Sequence, residues 1–175
     1  MNPIATHADW TREYKPVFAW MPSKSLLASI RSYQRHSGAG LHRKFLRTVA
    51  VLRHRFWSVV TGADIPINVK IGGGLMIPHP NGIVIHADCS IGPNCLLFQQ
   101  VTLGHAGMGV PVLGGHVDIG AGAKILGPIT IGDDARIGAN AVVLIDVPAG
   151  MTAVGVPAKI VNHESNGPRI AKSLS

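Results

Sequence analysis

The sequence contains no apolar run near the ~20 residues that a membrane-crossing helix needs. Its first residues are polar and charged, with Asp9, Arg12, Glu13 and Lys15 ahead of any apolar stretch, so they do not read as a secretory signal peptide. Aromatic residues make up only 5% of a chain that is 46% hydrophobic, which predicts a narrow, aliphatic core. Cysteine is scarce, with only Cys89 and Cys95. Acids are nearly missing from the first third of the chain. Residues 1–61 hold ten Lys/Arg against Asp9 and Glu13, whereas residues 62–175 hold six against seven acids. The net charge of +7 therefore sits on the N-terminal segment. The plain reading of that segment is a solvated helical face; the sharper ones are an anionic membrane surface or a phosphate-bearing ligand. Nucleic acid is not expected, because no recognition motif accompanies the charge.

What the chain does have is a strict period. Leu113, Ile119, Ile125, Ile131, Ile137 and Val143 follow one another in steps of six. The fourth residue after each is small or apolar: Val117, Ala123, Ile129, Ala135, Ala141 and Val147. A helix repeats its apolar face every three to four residues, so a period of six marks a repeat solenoid. The predicted structure is a parallel β-helix of triangular section, with three hexapeptides to a coil and inward residues eighteen apart in ladders, Leu113 on Ile131. Upstream the period holds through Ile65, Ile71 and Ile77, and again through Ile85, Ile91, Leu97 and Leu103. It breaks twice, at Pro78–Val84 and at Gly104–Val112. Insertions in a solenoid leave the core and build surface, so function is expected there. Cys89 and Cys95 fall on the inward small position and read as reduced core residues of a cytoplasmic protein.

Ahead of the repeat, residues 1–22 read as irregular with aromatic anchors at Trp10, Tyr14, Phe18 and Trp20. Ser23 or Ser25 would cap a helix running to about His36. A second helix from about Leu41 to Val60 aligns Leu41, Phe45, Val49, Leu52, Phe56 and Val60, a stripe expected to dock on the protein's own body or on a neighbour. Three parts result: a basic helical segment over residues 1–61, the β-helix over 62–161, and a polar tail over 162–175 that reads as disordered.

The run from Gly62 to Val161 resembles the hexapeptide-repeat acyltransferases, and within them the serine acetyltransferase branch. The resemblance rests on Asp64-Ile65-Pro66, Ile71-Gly72-Gly73-Gly74, His79-Pro80-Asn81-Gly82-Ile83-Val84 and Gln100-Val101-Thr102-Leu103-Gly104. It continues through Ile119–Gly127, Ile137–Val143 and Val154-Gly155-Val156-Pro157-Ala158-Lys159. It implies a mainly β fold, a left-handed parallel β-helix behind an N-terminal α-helical segment. It also implies a homotrimer, with acetyl-CoA in the groove between neighbouring β-helices, and trimers that could pair further. No metal is expected.

Acetyl transfer from a thioester to an alcohol needs a base for the hydroxyl proton and donors for the oxyanion. The resemblance assigns the base to His79, in the first insertion. A neutral imidazole, with its ordinary pKa of ~6.5, suits that task. It assigns the carboxylate that orients the ring to Asp64, fifteen residues earlier, nearly one coil. Each residue has a plainer reading, His79 as a turn histidine between prolines and Asp64 as a first-turn residue. For acetyl-CoA the carry-over falls on Gly104, Ala121, Gly122 and Ala139, whose missing or short side chains let a pantetheine arm lie on the backbone. His105 joins them as a loop residue near the thioester or acceptor, and Lys124 and Lys159 are candidates for the nucleotide phosphates. His86 stands beside Ile85, where related enzymes have glycine.

Two departures bear on the acceptor. The family has an acid before the catalytic histidine, where this chain has Pro78. The family also has an Arg-His pair in the second insertion, but Gly104–Val112 is short and contains no Lys or Arg. Burying the ammonium and carboxylate of serine without partners costs several kcal/mol. On these grounds a sugar or exopolysaccharide hydroxyl is expected ahead of L-serine, at the inner membrane face. L-Serine and a non-catalytic scaffold remain the alternatives.

Overall fold

A computed structural model of the chain describes residues 3–16, 19–36 and 38–161. One helical turn, α1 (Pro3–Thr6), and a 3-10 turn at Trp10–Glu13 lead to α2 (Pro22–Arg35) and α3 (Leu41–Thr61). From Asp64 onward the chain winds through strands of two or three residues. They pair almost entirely in parallel and form three sheets, one for each face of a prism. One face stacks Lys70–Ile71, Ser90–Ile91, Val112–Leu113 and Thr130–Ile131. A second stacks Val84–Ile85, Thr102–Gly104, Lys124–Leu126 and Val142–Val143 above a bridge from Asp64 to Val84. The third runs from Leu96–Leu97 through Asp118–Ile119 and Arg136–Ile137 to Thr152–Val154, where Lys159–Val161 closes it antiparallel.

The period of six is the axis of this core. The six-step residues from Leu113 to Val143, and their small partners four residues later, are all buried. Leu113 pairs with Ile131, eighteen residues on, as the repeat predicts. Across the first insertion the partners are twenty apart, Ile71 on Ile91; across the second they are twenty-two apart, Ile91 on Leu113. The two and four surplus residues are absorbed at corners, and the inward ladder continues unbroken. At the corners Asn94, Gln100, His116, Asp134 and Asn140 adopt left-handed backbone, with φ between 56 and 60°. That conformation costs most L-residues ~1–2 kcal/mol and is visited most readily by Gly, Asn and Asp.

Buried polar contacts bolt the helical segment to the first coils. Asn94 is fully buried, its amide donating to the carbonyls of Ile4 (2.6 Å) and His7 (2.7 Å) and accepting from the Asp9 N–H (2.8 Å). The Arg12 guanidinium donates to the Asn94 carbonyl. Glu13 accepts from the N–H groups of Gly74 (2.8 Å) and Leu75 (3.2 Å) and forms a two-point ion pair with Arg31. Arg31 in turn donates to the carbonyls of Ile71 and Gly72, both at 2.6 Å.

Several expectations are corrected. Neither Ser23 nor Ser25 caps α2; the N-cap is Met21, with Pro22 in the first turn, where its missing N–H costs nothing. Trp10, Tyr14 and Trp20 are exposed rather than anchored in a core, although the Arg31 guanidinium lies over the Trp10 ring. Phe18 and the 162–175 tail lie outside the described residues. For α3 the first half of the expectation fails, because its apolar stripe is not docked on the body of its own chain. Leu41 is 87% exposed, Phe45 66% and Leu52 61%. The helix turns Ala50, His54, Trp57 and Thr61 inward instead. Two hydrogen bonds fix that rotation: His54 Nε2 to the Ile65 carbonyl (2.8 Å) and Arg47 to the Tyr33 hydroxyl (2.6 Å).

Two measurements check this architecture. Asn94→Ala removes the side-chain partner of three backbone groups at a left-handed corner, and should lower unfolding free energy by about 1–3 kcal/mol in denaturant titration. Burial pushes the thiols of Cys89 and Cys95 up to about 11 each. Folded protein at pH 8 should therefore give almost no reaction with Ellman's reagent, and two equivalents once denatured.

Candidate active site

The first insertion leaves the core at Ile77 and returns at Ile83. Between them Pro78, His79 and Asn81 are exposed, with Pro80 half-buried. The loop is pinned at its end by backbone bonds from Gly82 N–H to the Gly62 carbonyl (2.9 Å) and from Ile83 N–H to the Pro80 carbonyl (3.2 Å). His79 is thus carried on a short, fixed turn with its ring at the surface, and forms no hydrogen bond within the described residues.

Asp64 does not meet it there. No hydrogen bond or ion pair joins the two side chains, and Asp64 is exposed at the start of the first coil. Its backbone bridges Val84, donating to the Ile83 carbonyl (2.8 Å) and accepting from the Ile85 N–H (2.9 Å). The reason is the insertion itself. The coil is twenty residues long at this point, so the neighbour of Asp64 lies five residues beyond His79. A spacing of fifteen sets the two on adjoining parts of the prism without bringing them into contact in a single chain.

The edge that carries His79 continues upward through the other predicted residues. The Asn81 carbonyl accepts from Gln100 N–H (3.0 Å), the Gln99 carbonyl from Gly122 N–H (2.9 Å), and the Ala121 carbonyl from Asn140 N–H (2.8 Å). His79, Ala121, Gly122 and Ala139 therefore lie along one edge, over three coils or about 14 Å at the strand spacing of a β-sheet. Gly122 has φ +74°, and a Cβ there would stand 2.1 Å from Asn140 Oδ1. Lys124 and Gly104 lie on the adjoining face, on neighbouring strands. The Lys124 ammonium donates to the Gln100 carbonyl (2.6 Å), back toward that edge. Lys159 is exposed at the antiparallel end strand, paired with Val154.

At the far side of this face stand two histidines whose proximity the sequence did not reveal. His86 N–H donates to the Leu103 carbonyl (2.8 Å), which sets it beside the start of the second insertion. Its ring lies 5.9 Å from that of His105. The only signal was that each follows an inward residue on successive coils, Ile85 and Leu103. The second insertion is a tight reversal, with Ala106 bridged to Gly109 and Met108 at its exposed tip. Among the described residues no three His, Cys, Asp or Glu side chains converge as metal ligands.

This face thus has one exposed imidazole, His79, at one edge and the His86–His105 pair at the other. The family model "Bacterial transferase hexapeptide (six repeats)" matches residues 111–144. Serine acetyltransferase of Helicobacter pylori (strain J99) is 44% identical over 128 residues, which is 71% of this chain and 75% of that protein. Among solved structures, soybean serine acetyltransferase complexed with serine superposes with a TM-score of 0.68 at 37% identity, over 81% of this chain and 58% of that one. A serine acetyltransferase in complex with CoA gives a TM-score of 0.66 at 37% identity, again over 81% and 58%. The chain thus spans little more than half the length of these solved relatives.

The two glycines separate fold from ligand. A Cβ at Gly104 would press on the flexible tip of Leu126, at 2.9 Å, and touch the Thr102 methyl at an ordinary 3.5 Å. Gly104→Ala should leave thermal stability within a degree or two of wild type, whereas Gly122→Ala should lower it by about 1–2 kcal/mol, from its backbone and the Asn140 contact.

Proposed function

The chain belongs to the serine acetyltransferase family of hexapeptide-repeat acyltransferases, and from that premise we propose that it transfers the acetyl group of acetyl-CoA to the hydroxyl of L-serine. The observation that carries this reading is the 44% identity to a serine acetyltransferase across three quarters of that relative. It favours serine over the glycosyl acceptor that the short, uncharged second insertion suggested.

In this proposal the Nε2 or Nδ1 of His79 accepts the serine hydroxyl proton as the oxygen attacks the thioester carbon. The C–S bond then breaks, and the imidazolium returns its proton to the departing CoA thiolate, which gives O-acetylserine and CoA. The ring's exposure and the lack of an internal partner leave it available for that cycle. Asp64 orients it only if the bound ligands or a neighbouring chain draw the two together. The pantetheine arm lies along Ala121, Gly122 and Ala139 with its thioester end toward Gly104, and Lys124 and Lys159 reach the phosphates. A homotrimer supplies the second wall of the groove.

The chain lacks the cation that would hold the serine carboxylate in the second insertion, and His86 and His105 take that part here. They flank one point from successive coils, and two imidazoles can present N–H donors to both carboxylate oxygens. One observation favours the second reading, a sugar hydroxyl: Gly104–Val112 contains no Lys or Arg.

The deciding experiment follows thiol release from acetyl-CoA with L-serine and with nucleotide- or lipid-linked sugars as acceptors. Serine turnover is expected, with His79→Ala lowering kcat/KM by ~10²–10⁴-fold. His86→Ala and His105→Ala should mainly raise the KM for serine. Turnover with sugars alone would replace serine as the acceptor, and full activity in His79→Ala would remove the base.

A further inference from the structure

The exposed side of α3 has a pattern of its own. Phe45, Val49, Leu52, Phe56 and Val59 follow in steps of four, three, four and three, which is a 3.5-residue seam. Yet the seam faces away from α2 and the β-helix, with Phe56 55% and Val59 84% exposed. Arg53 and Arg55 lie on its two flanks and Lys44 at its N-terminal end, all three exposed. No Asp or Glu occurs between Tyr14 and Ala63. Trp20, 73% exposed, stands edge-on to Trp57 (5.4 Å), which stands edge-on to Phe56 (5.0 Å). An aromatic cluster thus extends the apolar strip beyond the helix itself.

Charge decides among the surfaces that could cover such a strip. A second copy of α3 would set arginine flanks against arginine flanks with no acid to answer them, which opposes self-pairing. An anionic surface answers them all at once. The strip is the exposed ridge of a single helix, which suits a fluid layer that moulds to it. At 21 residues, α3 lies flat over about 31 Å. No described helix is long and apolar enough to cross a membrane.

We infer that α3 is an interfacial helix, resting in the plane of an anionic bilayer with the Phe45–Val59 seam among the acyl chains. Lys44, Arg53 and Arg55 lie at the lipid headgroups, and Trp20 marks the interface. The β-helix and its ligand face then ride on the membrane surface, held by contacts separate from the acetyl-transfer site.

Flotation of the full chain with vesicles tests this. Vesicles of phosphatidylcholine with about one third phosphatidylglycerol are compared with phosphatidylcholine alone, at low and high salt. Binding should require the anionic lipid and fall with salt. Phe45→Ser/Leu52→Ser/Phe56→Ser should abolish it, while Arg53→Gln/Arg55→Gln should weaken it by more than tenfold, at about fivefold per cation. Both variants should keep the wild-type circular dichroism and thermal midpoint, because the altered residues are exposed. Absence of vesicle binding, equal binding to neutral vesicles, or undiminished binding by the triple-serine variant would each overturn the inference. So would a drop in solution mass of that variant by light scattering, since the seam would then join copies of the chain. Retention on an acidic polypeptide but on no vesicle would likewise replace lipid with a protein partner.

Discussion

Parallel strands two or three residues long have almost no stability alone, so every coil of this protein depends on in-register pairing with the next. That single constraint governs the rest. A surplus residue cannot be taken up within a rung without turning the inward aliphatic side chain outward. It must leave at a corner, and both insertions do so. Ile71 still stacks on Ile91 and Ile91 on Leu113, although the coils between them are twenty and twenty-two residues long. The same demand accounts for the polar corners, where Asn94, His116 and Asp134 accept left-handed backbone so that the strands on either side stay flat.

Extrusion at corners is also what makes a functional surface. His79 is displaced outward by the first insertion, and His105 by the second, while the strands between them present a face with little side-chain bulk at Gly104. A rigid ladder beneath holds the two edges at a fixed separation. The proposed reaction draws on this surface for its base, one imidazole, and for the backbone along which a thioester would lie. The His86–His105 pair stands beside the second insertion, which contains no Lys or Arg.

The helical segment obeys different rules. It is attached by an apolar face, Leu26, Leu27 and Ile30 of α2 buried against the first coils, and by polar bonds as well: Glu13 with Arg31 and the backbone of Gly74, Asn94 with the first residues, His54 with Ile65. Such bonds are directional, so they fix the rotation of α2 and α3 about their axes. For α3 the result is that the apolar seam faces outward. Attachment and exposure are two consequences of one arrangement, and the outward seam is what gives the segment a surface of its own.

The sequence by itself determined the solenoid, the inward ladder, the positions of both insertions and the burial of Cys89 and Cys95. A period of six has only one compact solution, and each inward residue reports its own environment. The places of Ala121, Gly122 and Ala139 along one edge were equally legible, because they recur at fixed places in a repeat. Tertiary structure alone decided the rest. The fifteen residues between Asp64 and His79 looked like one coil, but the inserted pair lengthens that coil and slides the bridge of Asp64 on to Val84. The nearness of His86 to His105 depends on stacking of coils across an insertion. The outward turn of α3 was illegible for a related reason: an amphipathic pattern shows that a helix has an apolar side, but the bonds of His54 to Ile65 and of Arg47 to Tyr33 decide which way that side points.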